Sequence, residues 1–135
     1  MAIGYNEGVL ERLAERLSLD EDIVIAIAFG SIVTGGLRPD SDVDIAILTQ
    51  QPLNTQRRQE LICLLADITG RPVDLVNLRT AGVILMRSLL KHGKRLVCKD
   101  RRAYDSLVSR MLVDVADFLP YHQRLLKERR KAWIR

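Results

Sequence analysis

The chain has 135 residues, of which 47% are hydrophobic and 28% charged, and its formal net charge is +4. A chain of this size and composition forms one globular domain with a real core, which excludes disordered, low-complexity and collagen-like proteins. No apolar run approaches the roughly 20 residues of a membrane span, and the first residues lack the basic and apolar regions of a signal peptide.

The cysteines and the distribution of charge narrow the class further. Cys63 and Cys98 fall in a predicted helix and a predicted strand, which favours two buried, reduced thiols and a cytoplasmic location. Of the 21 basic and 17 acidic residues, six and one lie in residues 120–135, so residues 1–119 hold 15 basic and 16 acidic side chains. We therefore distinguish a near-neutral body, residues 1–119, from a basic tail, residues 120–135, within one domain.

The first predicted elements are a helix and a buried strand. Apolar residues recur at helical spacing in residues 6–17. Residues 23–29 are apolar on both faces, as expected of a central strand. The acidic residues 20–22 between them are predicted to form a solvated turn.

Two acids at the start of the second predicted strand are the first candidate site residues. Their side chains, those of Asp42 and Asp44, point to one face, about 6–7 Å apart along the strand. Two carboxylates in one poorly solvated space either share a proton or hold a cation, and Mg²⁺ suits the second case. The alternative is that residues 40–42 form a turn and that Asp44 is an exposed acid. The depletion of Asp in strands speaks against it.

The turn before that strand can receive an anion. Gly30 lets the backbone approach a ligand closely, and Ser31 offers a hydroxyl beside a backbone N–H. If a short helix begins at Ser31, its first N–H groups favour a phosphate.

The second half of the chain supplies two helices around a third strand. The first of these helices is capped by Asn54 or Thr55 and ends at Gly70. The strand, residues 72–78, holds a single acid, Asp74. An Asp between apolar strand neighbours indicates a site residue, the alternative being an edge-strand acid that faces water. The second helix is capped by Thr80 and ends at Gly93.

The last two predicted elements are an edge strand with charged ends, residues 94–99, and a helix. Asp100 caps that helix, and Pro120 kinks or ends it. The basic tail beyond is a docking element, a nucleic-acid patch or a frayed terminus. Docking is favoured because Trp and Arg are enriched at binding hot spots, and direct nucleic-acid binding is the weaker alternative. The anchors would be Tyr121, Leu125 and Trp133.

The motif of Gly30-Ser31, ten residues, then Asp42-x-Asp44 resembles the signature of the DNA polymerase β-like nucleotidyltransferases, and with Gly35 and Ser41 it is most similar to the minimal nucleotidyltransferases of bacteria and archaea. The resemblance implies an α/β (α+β) fold, a polymerase β-like core with a small mixed sheet flanked by helices. The order of predicted elements agrees with that core.

The resemblance also implies the reaction and its residues. The turn at Gly30 and Ser31 would hold the phosphates of ATP, and two Mg²⁺ ions would be bound by Asp42, Asp44 and Asp74. Ile32 and Thr34 stand where family members carry an aromatic or basic residue and an Arg. Arg38 is then the nearest substitute for the phosphate contact that this loop lacks, and Ser41 is included because it matches the motif. The expected site residues are Asp42, Asp44, Asp74, Gly30, Ser31, Ser41 and Arg38, of which the last four would bind the nucleotide.

The acceptor implied by the resemblance is a protein. Members of the group are paired with a HEPN-domain ribonuclease toxin, and some are antitoxins that transfer AMP to a tyrosine of that toxin. We adopt this interpretation, with the basic tail as the arm that engages the partner. The alternatives are an adenylyltransferase for a small molecule of the aminoglycoside kind and a non-catalytic module that neutralises a toxin by contact.

Overall fold

The computed structural model describes residues 5–36, 38 and 41–134 of the chain, and the side chains of residues 7–36, 38, 41–116 and 124. Five helices and four strands alternate along these residues. Their bounds are α1 Tyr5–Ser18, β1 Ile23–Phe29, α2 Ser31–Thr34, β2 Val43–Thr49, α3 Thr55–Thr69, β3 Val73–Asn77, α4 Val83–His92, β4 Lys94–Cys98 and α5 Arg101–Ile134.

The four strands form one mixed sheet in the order β3-β2-β1-β4. Strand β1 pairs antiparallel with both β2 and β4, whereas β2 and β3 are parallel. A parallel pair needs a crossover connection, and α3 provides it. The predicted α/β fold with a small mixed sheet is confirmed, and the predicted edge strand is β4.

Helices cover both faces of the sheet because β1 and β2 are apolar on both. One core cluster packs the β2 residues Val43, Ile45 and Ile47 with α1 and α3, and the other packs Ile25 and Ala46 with α4 and α5. Residues of β2 that alternate with the first set therefore belong to the α4/α5 face of the sheet. The start of β2, with Asp44, lies on that face.

Side-chain caps set several of the helix ends that the sequence predicts. The Asn54 side chain accepts a hydrogen bond from the Arg57 amide at 2.7 Å, and α3 ends at Gly70 with φ of +69°. The Asp100 carboxylate accepts from the Arg102 amide at 2.9 Å at the start of α5. The predicted cap Thr80 is wrong, since α4 begins at Val83 after a turn closed by backbone bonding between residues 77 and 80.

Helix α5 is longer than the sequence predicts. Pro120 does not end it, because the backbone is helical from Arg101 to Ile134. A proline removes one helical hydrogen bond, and the residues on both sides continue the helix around that loss. The predicted anchors Tyr121, Leu125 and Trp133 have side chains outside those the structure describes, and the division at residue 120 stays a prediction.

The cysteines are free thiols, and both are exposed, so their predicted burial is wrong. Cys63 occurs on the solvent side of α3, opposite the buried positions Leu61 and Leu65. Cys98 is the last residue of the edge strand β4. Across the described part of the chain, no helix combines the length and the apolar character needed to cross a membrane.

Arg57 joins α3 to the acidic turn after α1. Its guanidinium forms ion pairs with Asp20, with Asp22 at 3.4 Å and with Glu60 at 3.7 Å. Burial alone would raise the pKa of Asp20, but the hydrogen bond from Arg57 and further contacts hold that pKa below its ordinary 3.8. The turn was predicted to be solvated, but its acids Asp20 and Asp22 form ion pairs that join distant parts of the chain.

Replacing Arg57 by Met is expected to lower the free energy of unfolding by about 1–2 kcal/mol, because a partly buried carboxylate loses its donor. A lowered carboxylate pKa contributes stability above its ordinary value, and this contribution is lost as the pH falls through the lowered pKa. The deficit of the variant should therefore shrink in acid. Urea denaturation against pH measures it, and Arg101→Met is the control, since the exposed pair of Arg101 with Asp105 contributes little. Equal losses in both variants would contradict the prediction.

Candidate active site

Strand register brings together two carboxylates of the predicted site, those of Asp44 and Asp74. In the parallel pairing of β2 with β3, Asp44 lies directly beside Asp74, and neighbouring strands are about 4.8 Å apart. On its other side Asp44 pairs with Phe29 of β1. Asp44 is partly buried, whereas Asp74 is exposed on an edge strand. Asp74 therefore has the features of both alternatives: it is an exposed acid on an edge strand, and it lies beside Asp44 of the candidate site.

Asp42 completes the acidic group from the residue before β2. It is two residues from Asp44 and exposed. The pKa of Asp44 is raised above its ordinary 3.8, first by burial and then by the negative charges of Asp74 and Asp42. The three carboxylates are therefore close enough to repel one another, and Asp44 is the member that water shields least.

Gly30 closes the inner side of this group. Its φ of +73° is disfavoured for residues with a side chain, and a Cβ placed on it would lie 2.4 Å from Oδ2 of Asp44. The backbone of Gly30 therefore packs against the carboxylate at a distance that only glycine permits. The position needs glycine for two separate reasons.

The predicted short helix after this glycine is α2. It begins at Ser31, and the amides of Val33 and Thr34 donate to the Gly30 carbonyl at 3.1 and 3.2 Å. The amide of Ser31 precedes those bonds, one residue from the contact with Asp44. Ile32 enters the core with an exposure of 1%, which explains why an apolar residue stands at that place.

Ser41 and Arg38 organise the loop that leads to Asp42. The Ser41 hydroxyl accepts from the Arg38 amide at 2.9 Å, and the Ser41 amide donates to the Arg38 carbonyl at 3.0 Å. The Arg71 guanidinium also donates to that carbonyl. The Arg38 side chain is exposed. Residues 37, 39 and 40, including the predicted turn residue Asp40, lie outside the described residues.

One contact next to the site was not predicted. The Arg58 guanidinium donates to the carbonyl of Leu75, the residue after Asp74, and so ties α3 to the outer edge of β3. Arg57 and Arg58, in the first turn of α3, are both partly buried and hydrogen-bonded. The sequence signal that could have indicated the contact of Arg58 with β3 was the crossover connection. A helix that joins two parallel strands must pack along those strands.

The donor set fits Mg²⁺ that is shared with a substrate. Within the described ranges, no group of three or more His, Cys, Asp or Glu side chains converges closely enough to hold an ion by itself. Mg²⁺ does not require such a cage, since it is bound by one or two carboxylates together with substrate phosphates and water. Asp44, with Asp74 beside it and Asp42 two residues earlier, supplies hard oxygen ligands of this kind.

Comparison with known proteins identifies a matching family and a curated relative. A family model described as polymerase beta, nucleotidyltransferase, matches residues 11–102. Over 68 residues the chain is 40% identical to the protein adenylyltransferase MntA of Shewanella oneidensis, a match that covers 50% of this chain and 49% of that protein. The chain thus spans about half the length of this curated relative.

Two solved structures share the fold. A crystal structure of a toxin–antitoxin with AMP-PNP matches with a TM-score of 0.72 and 25% identity, over 91% of this chain and 97% of that one. A structure of the tri-AMPylated Shewanella oneidensis HEPN toxin in complex with MNT antitoxin matches with a TM-score of 0.69 and 22% identity, over 90% and 97% of the two chains.

Proposed function

Because the chain belongs to the polymerase beta nucleotidyltransferase family, we propose that it transfers AMP from ATP to a protein acceptor in the presence of Mg²⁺. The observation that carries this proposal is the in-register pairing of Asp44 with Asp74, with the backbone of Gly30 packed directly against the Asp44 carboxylate. The 40% identity to a protein adenylyltransferase supports AMP as the transferred group and a protein as the acceptor.

The acceptor we propose is a tyrosine of a HEPN-domain toxin, which makes the chain an antitoxin. Support comes from structural relatives, one of which is described as an MNT antitoxin in complex with a tri-AMPylated HEPN toxin. Another is a toxin–antitoxin with the ATP analogue AMP-PNP. The basic tail is the arm that we propose for engaging this partner, and Arg124 in it is exposed. A cytoplasmic setting would supply ATP and Mg²⁺.

The chain's own residues divide the work of binding the nucleotide. The turn at Gly30 and Ser31 would receive the β,γ-phosphates on its backbone amides and hydroxyl. Ser41 and Arg38 would add contacts from the loop before Asp42. Asp42, Asp44 and Asp74 would hold two Mg²⁺ ions, which when bound neutralise phosphate charge and lower the pKa of the attacking hydroxyl.

The transfer itself is an in-line displacement at the α-phosphorus. The tyrosine oxygen forms a bond to that phosphorus, and the bond to the bridging oxygen breaks, so that pyrophosphate leaves with the electron pair. The tyrosine proton passes to the exposed carboxylate of Asp74 and from there to water. Gly30 keeps Asp44 in place throughout, because the carboxylate packs directly on its backbone.

Labelling tests this proposal. The purified chain is incubated with Mg²⁺, a HEPN-domain toxin and ATP labelled at either the α- or the γ-phosphate. We expect the toxin to acquire the α-label and not the γ-label, because AMP and not phosphate is transferred. Substitution of the acceptor tyrosines by Phe is the control on the toxin, and it should remove the label.

The alternatives give different results in the same assay. Label on a free aminoglycoside added to the assay, and none on protein, would establish a small-molecule adenylyltransferase and end the antitoxin proposal. Neutralisation of the toxin by an Asp44→Asn chain as complete as by the wild type would establish a non-catalytic module. The absence of α-label on every acceptor would contradict the transferase assignment.

A further inference from the structure

The outer side of helices α4 and α5 carries an apolar groove away from the catalytic carboxylates. A cavity of about 380 Å³ lies between the two helices, and we call it the α4/α5 groove. Its apolar lining comes from Leu90 of α4 and from the α5 residues Val108, Met111, Leu112 and Val115. None of the residues of the candidate active site lines it, so the groove needs a separate explanation.

Large apolar side chains around the groove are exposed to solvent. Leu112, in its lining, is 58% exposed, and Ile84 on α4 is 68% exposed. Ile84 borders a second depression of about 260 Å³. The two depressions share Arg87 and Lys91, so exposed apolar side chains lie on both sides of these basic residues. Apolar surface that is rimmed by polar residues is a feature of association sites.

The α4 residues at the edge of the groove are basic. Arg87 and Lys91, one helical turn apart on α4, line both depressions, and His92 joins them at the second. Among the described residues that line the two depressions, none is acidic. Helix α4, from Val83 to His92, also contains no Asp or Glu. The α4 side of the groove therefore presents cations with no acid on the same helix, whereas the α5 acids Asp105 and Asp114 are not among the described lining residues.

We propose that the α4/α5 groove docks an amphipathic helix of a partner protein, with apolar side chains in the groove and carboxylates paired to Arg87 and Lys91. An apolar stripe laid in such a groove is a recurring mode of helix recognition. Charge complementarity at the rim selects acidic partners and speeds their association. The inference concerns a surface separate from the transfer chemistry and does not depend on it.

Two other occupants fit less well. A second copy of this chain docked through the same face would place the basic residues of both copies in one interface, with no acidic residue among the described lining residues to pair with them. A single-stranded nucleic acid would stack its bases on aromatic side chains, but Tyr104 is the one aromatic among the described residues that line the groove. The Tyr104 ring already lies 4.7 Å below the Arg95 guanidinium.

A synthetic helical peptide tests the groove. The probe is a peptide of about 18 residues with a leucine stripe flanked by glutamates, titrated into the full ¹⁵N-labelled chain and followed by amide shifts and fluorescence anisotropy. We expect shift changes in residues 84–92 and 104–115. We also expect the double variant Arg87→Glu, Lys91→Glu to weaken binding at least about 10-fold.

The matched control is Arg12→Glu with Arg16→Glu. These residues are exposed, have the same four-residue spacing on α1 and give the same change in net charge. The control should alter affinity by less than about 2-fold. Equal weakening by both double variants, shift changes elsewhere, or no binding of the peptide would overturn the proposal. Tighter binding of a single-stranded oligonucleotide at the same residues would overturn it in favour of nucleic acid.

Discussion

Replacing Asp44 by Asn is expected to reduce nucleotidyl transfer by at least about 100-fold and, in the same variant, to raise the melting temperature of the metal-free protein at neutral pH. The first effect follows because Asp44 is the central ligand of the proposed ion site. The second follows because burial and the charges of Asp74 and Asp42 raise the pKa of Asp44, so its ionised form is unfavourable in the folded protein. Function and stability therefore change in opposite directions.

The dependence of the second effect on pH has a definite sign. The folded protein holds the Asp44 proton more tightly than the unfolded chain does. The contribution of Asp44 to stability is therefore fully present below its ordinary pKa of 3.8 and is lost as the pH rises through the raised pKa. The gain in melting temperature from Asn should be present at neutral pH and shrink toward that ordinary pKa.

Calorimetry across this pH range measures the stability, and the labelling assay measures transfer. Asp74→Asn is the control, since Asp74 is exposed and its neutralisation should lower transfer with a smaller gain in stability. A lower melting temperature of Asp44→Asn at neutral pH, or transfer close to that of the wild type, would contradict the account of this residue.

The second large effect is expected for Gly30→Ala. The new Cβ would lie 2.4 Å from the Asp44 carboxylate, at a φ of +73° that alanine adopts with strain. We expect the free energy of unfolding to fall by about 1–3 kcal/mol. We expect transfer to fall at least about 100-fold, because the carboxylate must move out of position.

Gly35→Ala is the matched variant at the other end of α2. Its φ is +85°, but a Cβ there would meet nothing within 4 Å. It should share the backbone strain and retain transfer within a few-fold of the wild type. The difference between the two variants isolates the contact of Gly30 with Asp44. Equal loss of transfer in both would show that backbone strain alone, and not this contact, explains the result.

The part of the fold that carries the candidate site was largely predictable from sequence because its signals are local. Period-two alternation gives Asp42 and Asp44 a common side and gives Val43 to the core, as the structure shows for Val43. An acid within an apolar strand singles out Asp74. Strand order and register are not local, however. That Asp44 lies beside Asp74 depends on where α3 returns the chain, and no spacing in the sequence states it.

The predictions that the structure contradicts failed for the same reason, because each was made from residue type or from sequence neighbours alone. The ion pair of Arg57 with Asp20 joins residues 37 positions apart, so the acidic turn was predicted to be solvated when it was considered with its sequence neighbours alone. Cys63 was assigned to the core from its residue type, although the face of α3 on which it stands is turned to solvent. That Pro120 ends the last helix is likewise wrong, because the backbone stays helical to Ile134, whereas a kink at Pro120 stays a prediction.

The most direct test of the central claim is a crystal structure of the chain with Mg²⁺ and a non-hydrolysable ATP analogue. The account predicts the triphosphate on the turn at Gly30 and Ser31, with Mg²⁺ bridging its oxygens to Asp44 and to at least one of Asp42 and Asp74. A nucleotide bound elsewhere, or bound at the turn with no cation on these carboxylates, would contradict it.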